Sequence, residues 1–307
     1  MVQATESTRR KFLLQLSSLG LLLARATPVA GQDRMPQRAI PSTGEELPVV
    51  GFGSTKAVLQ IPDEGTVPVA SVLRMLVEHG GRVVDTAPRP EAIDAEFGRM
   101  LRDMGLPDDL FLTGKIDATG REAGVEQMRQ TQRLFGRRTM DLVQVASLRD
   151  LETQWDNLRG WKETGEARYI GVTVSTNDAH ERLESFMRRE VPDFVHLNYS
   201  VMETDAESRL LPLARDRGVA VLTNRPFMNG AYFGRVGERE LPAWAAEFDC
   251  TSWAQFSLKY ILANQAVTCV LTETTNPQHM EENIQAAFGR MPDESTKRRM
   301  RELAATL

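Results

Sequence analysis

From residue 48 onward, short apolar runs alternate with longer segments in which apolar residues recur every three or four positions. The short runs have the length and β-branched composition of buried strands, and the longer segments have the period of amphipathic helices. Eight runs predict strands at 48–53, 82–86, 110–116, 140–146, 167–174, 193–198, 219–224 and 267–271. Helices are predicted at 66–79, 91–105, 121–135, 151–164, 177–189, 204–217 and 251–264, then from Asn276 and at about 293–306.

Eight strand–helix units over about 260 residues match the count and size of a (β/α)8 TIM barrel, an α/β fold. The alternative is an open doubly wound sheet, which usually carries a glycine-rich phosphate loop after an early strand. The weak match to such a loop, Gly51-Phe-Gly53-Ser, opens no helix directly. We therefore predict a barrel over residues 47–307, preceded by a loose polar lead-in segment at 31–46.

The first residues of the chain follow a different pattern. Thr8-Arg9-Arg10-Lys11-Phe12-Leu13 matches a twin-arginine export signal, and the modestly apolar stretch 12–24 is too short and too polar to span a membrane. Small residues at 24–26 and 28–30 supply two candidate cleavage sites. An amphipathic N-terminal arm is the alternative. We predict a signal peptide at 1–30 and a periplasmic or otherwise exported protein, with no membrane contact after cleavage.

Composition and charge exclude some partners. A net charge of −5, a pI of about 5.6 and the lack of a basic block argue against nucleic acid as the main partner. The two cysteines, Cys250 and Cys269, are separated by a predicted helix, and we expect both to be reduced. Neither they nor the scattered histidines form a metal-binding motif, and nothing in the sequence indicates a particular protein partner.

A carboxylate stands where the second predicted strand ends, at Asp85, before a turn that contains Pro88 and Pro90. In a parallel barrel, residues at such strand ends face the mouth of the active site. Other short motifs follow in order along the predicted elements: Leu112-Thr-Gly-Lys115, Met140-Asp-Leu-Val-Gln-Val145, Tyr169-Ile-Gly-Val172, Asn198-Tyr-Ser200, Arg225-Pro226 and Glu281-Glu-Asn283. Together with Asp85-Thr-Ala87 and Gly51-Phe-Gly53, they resemble the aldo-keto reductases over most of residues 47–290.

The resemblance implies a nicotinamide-dependent reductase of aldehydes and ketones. In that family a Tyr donates the proton, a Lys and an Asp lower the pKa of that Tyr, and a His orients the carbonyl group. By position, the Asp is Asp85 and the Lys is Lys115, but the Tyr position is Pro90 and the His position is Ala146. Since general acid catalysis needs a proton donor within reach of the carbonyl oxygen, we do not expect the ordinary mechanism.

The resemblance also implies that the chain binds NAD or NADP through five positions: Thr173, His196, Glu273, Glu282 and Asn283. The Ser-Asn pair that binds the nicotinamide amide in the family reads Thr173-Val174 here, and the family's Gln is His196. Glu273 stands at the usual position for the 2′-phosphate, where a carboxylate would repel a phosphate and favour NAD over NADP. Glu282 and Asn283 retain the pair that contacts adenine.

These observations lead to two functional hypotheses. The first is an exported, catalytically degenerate barrel that binds a small-molecule ligand, with Asp85 and Lys115 as a buried ion pair retained for stability. The second is an oxidoreductase with a tightly bound nicotinamide cofactor and altered chemistry that uses Asp85, Lys115 and His196. A subunit of a larger exported complex is a third reading. Beside the altered motif, we expect Arg89 to be a solvated loop side chain and Asp94 to stabilise a helix start.

Overall fold

A computed structural model describes residues 34–106 and 110–307. The twin-arginine motif and the predicted signal peptide lie outside the described residues. Two short strands, β1 (Gln37–Ala39) and β2 (Glu46–Pro48), pair antiparallel ahead of the main sheet. The eight strands that follow are parallel: β3 (Val50–Gly53), β4 (Val83–Asp85), β5 (Phe111–Ile116), β6 (Met140–Ala146), β7 (Ala167–Thr173), β8 (Phe194–Asn198), β9 (Ala220–Asn224) and β10 (Cys269–Thr272).

Strands β3 to β10 close into a barrel, because β10 pairs with both β9 and β3. This closed parallel sheet confirms the predicted (β/α)8 TIM barrel. In the described part of the chain, the helices are α1 (Thr55–Leu59), α2 (Ile61–Glu64), α3 (Val67–Glu78), α4 (Glu91–Asp103), α5 (Arg121–Phe135), α6 (Leu151–Thr164), α7 (His180–Arg189), α8 (Leu210–Arg217), α9 (Ala231–Val236), α10 (Trp253–Leu262), α11 (Pro277–Gln285) and α12 (Glu294–Ala304).

Most predicted elements are confirmed within one or two residues, because buried strands and amphipathic helices leave strong patterns. The structure adds α1 and α2 between β3 and α3, and α9 in the connection after β9. The helices predicted at 177–189 and 204–217 each begin with a short 3-10 turn, at Asn177–Ala179 and Asp205–Glu207. None of the described helices combines the length and apolar character needed to cross a bilayer.

The described part of the lead-in segment is ordered, so the expectation of a loose segment at 31–46 is wrong there. Ile40 and Leu47 are fully buried and join the apolar cluster inside the barrel. Arg38 donates hydrogen bonds to the carbonyl oxygens of Leu262 and Asn264, at 2.5 and 3.0 Å. Within these short strands only Leu47 and Pro48 are buried, so the sequence carried too little periodicity to predict them.

The barrel interior is apolar at one end and polar at the other. Phe111, Tyr169 and Phe194 fill the lower part, with ring centroids 5.5 to 5.9 Å apart. Two positions further along β5 and β8, the polar side chains of Thr113 and His196 point inward from the same strand face, because successive side chains of a strand alternate between its faces. The carboxyl ends of the strands therefore carry the polar residues that build the candidate site.

Cys250 and Cys269 are both free, as the sequence predicted, and both are buried. Burial raises the pKa of Cys250 to about 11, and it also raises the pKa of Cys269. The thiolate form is disfavoured at both positions, which fits a packing role.

Candidate active site at the mouth of the barrel

A cavity of about 690 Å³ opens at the carboxyl ends of the barrel strands. It brings together six of the positions that the sequence singled out: Asp85, Lys115, Ala146, Thr173, His196 and Glu273. The other three lie outside its lining. Pro90 is exposed at the start of α4, and Glu282 and Asn283 lie on α11, where Asn283 is buried.

Asp85 and Lys115 form a buried ion pair at the floor of the cavity. Lys115 Nζ donates to Asp85 Oδ2 at 2.5 Å and to the main-chain oxygen of Thr86 at 2.6 Å. Thr113 lies two positions before Lys115 on β5, on the same face of the strand, and donates to Asp85 Oδ1 at 2.6 Å. The period of the strand could have identified Thr113 as a third member of this cluster, but the sequence analysis did not name it.

Two opposing effects act on the Asp85 carboxyl group. Burial raises its pKa, while the Lys115 charge and the hydrogen bonds from Lys115 and Thr113 lower it by more. The net result is a pKa below the ordinary range, so Asp85 is ionised near neutral pH.

His196 lies beside this pair and faces the cavity, as expected for its position on β8. Its side chain is 3% exposed, and Nδ1 is 4.0 Å from Asp85 Oδ1, beyond hydrogen-bond reach. Burial lowers the pKa of His196 to about 4, and the Asp85 charge offsets this only in part. The imidazole is therefore neutral near neutral pH. Among the described residues, neither of its ring nitrogens has a hydrogen-bond partner.

The two positions that carry Tyr and His in the family present no proton donor here. Pro90 has neither a polar side chain nor a main-chain N–H. Ala146 lines the cavity at the end of β6, and the chain turns sharply after it. Ser147 and Leu148 both adopt left-handed backbone conformations, with φ of 52° and 53°, and Arg149 N donates to Ala146 O at 2.9 Å. Lys115 consequently faces the cavity directly.

Arg89 is buried, so the expectation of a solvated loop arginine is wrong. Its side chain is 2% exposed and donates from Nε to Asp94 Oδ1 at 2.8 Å. It also donates to the main-chain oxygen and the hydroxyl of Ser54, both at 3.0 Å, and stacks over the Phe97 ring. Through these contacts, Arg89 holds the loop that contains Pro90 against the segment that follows β3. An arginine followed five residues later by an aspartate was the only sign of this in the sequence.

Glu273 has main-chain partners at the rim of the cavity. Its carboxylate accepts hydrogen bonds from the N–H groups of Lys56 and Ala57, the latter at 3.0 Å. Burial raises the pKa of Glu273, and these two hydrogen bonds offset part of the rise. The side chain is half-buried and fixed against the first turn of α1.

The segment after β9 covers one side of the cavity with aromatic rings. Arg225 has a left-handed φ of 57° and pairs with Glu203 at 3.0 Å, which redirects the chain at the end of the strand. Phe227 and Phe233 then line the cavity, with ring centroids 5.0 Å apart. The sequence analysis did not single out Phe233, because it lies in a long connection without a clear pattern.

Two kinds of sequence comparison point to the same protein family. A sequence model of the aldo/keto reductase family matches residues 51–303. The (1S)-1,7-diacetoxy-luvungin A aldo-keto reductase of Citrus sinensis is 24% identical over 279 residues, which cover 81% of this chain and 84% of that enzyme. The NADH-specific methylglyoxal reductase of Escherichia coli strain K12 is 24% identical over 172 residues, a match that spans 48% of this chain and about half, 51%, of that enzyme.

Solved structures share the fold at low sequence identity. The holo form of an aldo-keto reductase from Bacillus halodurans superposes with a TM-score of 0.69 and 18% identity, covering 89% of this chain and 98% of that one. A Bombyx mori aldo-keto reductase in complex with NADP gives a TM-score of 0.68 and 19% identity, covering 88% and 92% of the two chains.

The residues of this cavity fit NADP poorly. If Glu273 stands where the family resemblance puts the 2′-phosphate, its carboxylate would face a second negative charge. At the position of the nicotinamide amide, Val174 has an apolar, buried side chain, and its main-chain oxygen already accepts from Asn224 Nδ2 at 2.9 Å. NAD would avoid the repulsion at Glu273 but would still lack a side-chain partner at Val174.

Removal of one member of the Asp85–Lys115 pair should lower the free energy of unfolding, because the other charge stays buried. We predict that Lys115→Met lowers the free energy of unfolding by about 3–5 kcal/mol, because it leaves Asp85 buried without its cation. Adding Asp85→Asn should recover part of this loss. The matched control is Arg133→Met, which removes one member of an exposed pair with Glu126 and should change stability far less. Urea unfolding of the variants measures each value, and equal losses for Lys115→Met and Arg133→Met would contradict a buried, coupled pair.

The pH dependence of stability should carry a contribution from His196. Its pKa falls from 6.5 to about 4 on folding, so between these values the unfolded chain binds more protons than the folded chain. Stability contributed by His196 is therefore complete above pH 6.5 and decreases as the pH falls toward 4, by about 3 kcal/mol at most. Urea unfolding of the parent chain and of His196→Gln at several pH values measures this difference. Parallel pH curves for the two proteins would show that His196 is not buried as a neutral group.

Proposed function

The chain belongs to the aldo/keto reductase family, and we propose that it binds a small molecule in the barrel mouth without carrying out the family's carbonyl reduction. One observation carries this proposal. The ion pair of Asp85 and Lys115 faces the cavity directly. The two family positions that would act on the carbonyl oxygen are Ala146, in the cavity lining, and Pro90, which is exposed outside it.

The remaining polar groups of the cavity are poor substitutes for the missing acid. Two of the N–H donors of Lys115 are already used by Asp85 Oδ2 at 2.5 Å and by the main-chain oxygen of Thr86 at 2.6 Å. His196 is neutral near neutral pH, because burial lowers its pKa to about 4, so it holds no readily donated proton. Loss of one general acid lowers rates by about 10² to 10⁴. Loss of the acid together with the orienting group would reduce carbonyl turnover to a trace.

A second candidate function is favoured by the distance of 4.0 Å between His196 and Asp85. In this version the chain is an oxidoreductase with a tightly bound nicotinamide cofactor, and Asp85, Lys115 and His196 act together on the substrate. Retention of Glu282 and Asn283 also favours it. Such an enzyme must keep its nucleotide through purification, which separates it from the first candidate.

The turnover test compares the full chain with its own Lys115→Met variant. We predict that aldehydes and ketones offered with NADH or NADPH are consumed no faster by the parent chain than by the variant, because neither protein has a working acid. Loss of NAD(P)H absorbance and product analysis measure the rates. Mass spectrometry of the denatured parent chain should find no nucleotide. Turnover that depends on Lys115 would refute the first candidate, and a stoichiometric nucleotide would support the second.

We also propose that the protein is exported through the twin-arginine route and acts in the periplasm. The proposal rests on the order of Arg9-Arg10-Lys11-Phe12-Leu13, a modest apolar stretch and small residues near 30. This route carries folded proteins, so a barrel assembled before export would fit it.

Export should depend on the paired arginines. We predict that the full chain, expressed in a bacterium with the twin-arginine route, reaches the periplasm in a shortened form. Arg9→Lys with Arg10→Lys should leave it in the cytoplasm at full length, whereas Arg25→Lys, outside the motif, should not. Cell fractionation and intact mass measure both outcomes. Equal distribution of the two variants would overturn the proposed route.

A further inference from the structure

His196 places two unsatisfied polar atoms in the cavity. Its side chain is only 3% exposed, and neither ring nitrogen has a partner among the described residues. A neutral imidazole carries one donor and one acceptor. A buried polar group without a partner is unfavourable, so a molecule that both accepts and donates a hydrogen bond here would be bound preferentially.

Asn224 adds an acceptor on the neighbouring strand. The register of β8 and β9 places Asn224 beside Asn198, two positions beyond His196 toward the mouth. Its Nδ2 donates to Val174 O at 2.9 Å, and this bond fixes the orientation of the amide. Asn224 Oδ1 is buried without a partner in the described part of the chain. A ligand that satisfies Asn224 must therefore supply a hydrogen-bond donor.

The cations that line the cavity are already compensated. Lys115 pairs with Asp85, and Arg225 pairs with Glu203. The third cation of the lining, Lys56, forms no ion pair within 4 Å among the described residues, but it interacts electrostatically with the Glu273 carboxylate. Of the three N–H donors of Lys115, two are used by Asp85 and Thr86, which leaves one for a neutral acceptor. A carboxylate ligand would find no uncompensated positive charge, so the cavity favours an uncharged molecule over an anion.

An apolar surface faces these polar groups. Phe227 and Phe233 line the same cavity, and Phe233 is 43% exposed although it is a large aromatic residue. Aromatic faces at a pocket contribute contact area for the C–H face of a ligand. The ligand should then be amphipathic, with hydroxyl groups on one side and an apolar side against the rings.

We infer that the barrel mouth binds an uncharged, hydroxyl-bearing molecule with an apolar face, held by His196, Asn224 and Lys115. A hydroxyl group both donates and accepts, so it can satisfy His196 and Asn224 together. A carbonyl oxygen only accepts, as does a carboxylate, and either would leave Asn224 Oδ1 and the acceptor nitrogen of His196 unpaired. This inference rests on the proposed function, because it concerns a molecule that is bound without being reduced.

Calorimetric titration of the purified full chain tests the inference with three ring compounds that differ in one chemical feature. They are cis-1,2-cyclohexanediol, cyclohexanone and cyclohexanecarboxylate. The diol is expected to bind at least about tenfold more tightly than the ketone or the carboxylate, because only the diol pairs the buried acceptors. Ketone or carboxylate binding as tight as that of the diol, or no binding of the diol at all, would overturn the inference.

Variants assign the binding to the named residues. His196→Leu should weaken diol binding by about tenfold or more, whereas His196→Gln, which keeps a donor and an acceptor, should retain most of it. Thr223→Val is the matched control: Thr223 also has a buried hydroxyl without a partner among the described residues, but it lies outside the cavity lining. An unchanged affinity in His196→Leu, or an equal loss in Thr223→Val, would overturn the assignment.

The titration separates this inference from the proposed function. Diol binding together with Lys115-dependent aldehyde turnover would refute the proposed function and leave the hydroxyl preference standing. Failure of the diol to bind, with no turnover, would refute the inference and leave the loss of reductase activity standing.

Discussion

The buried ion pair between Asp85 and Lys115 is the constraint around which the mouth of this barrel is built. Two charges removed from water are stable only when each has a close partner of opposite sign and hydrogen bonds for its remaining atoms. Thr113 and the main-chain oxygen of Thr86 supply those hydrogen bonds. Since removal of either charge would strand the other, the pair stabilises the fold whether or not it takes part in catalysis.

The neighbouring positions show how such a site changes around a fixed pair. Pro90 and Ala146 remove the groups that would act on a carbonyl oxygen, and Glu273 makes the rim unfavourable for a 2′-phosphate. The ring nitrogens of His196 and the side-chain oxygen of Asn224 lie at the same cavity without hydrogen-bond partners among the described residues. Arg89 keeps the loop with Pro90 in place through Asp94 and Ser54. The mouth therefore remains a formed, polar cavity, as the ligand binding that we propose requires.

The sequence predicted the barrel well because strands such as Met140–Ala146 and helices such as Arg121–Phe135 have complete periodic patterns. The family motifs in it also indicated the membership that the family match over residues 51–303 bears out. The β1–β2 pair was missed because only Leu47 and Pro48 are buried within its two short strands, too few to form a periodic pattern. Burial of Arg89 was missed for a different reason: its partners Asp94 and Ser54 come together only after the chain has folded. The position of His196 on its strand indicates that it faces the barrel mouth. Its lack of hydrogen-bond partners among the described residues depends on the surrounding strands, so the local sequence could not predict it.

The central claim is that this barrel mouth no longer transfers a hydride and a proton to a carbonyl group. The most direct measurement is isotope transfer: the full chain is incubated for a long period with an aldehyde and with NADH or NADPH deuterated at the nicotinamide C4 position. The account predicts no deuterium in the alcohol fraction above that found with Lys115→Met. Deuterated alcohol that accumulates in proportion to the parent protein, and is lost in Lys115→Met, would contradict it.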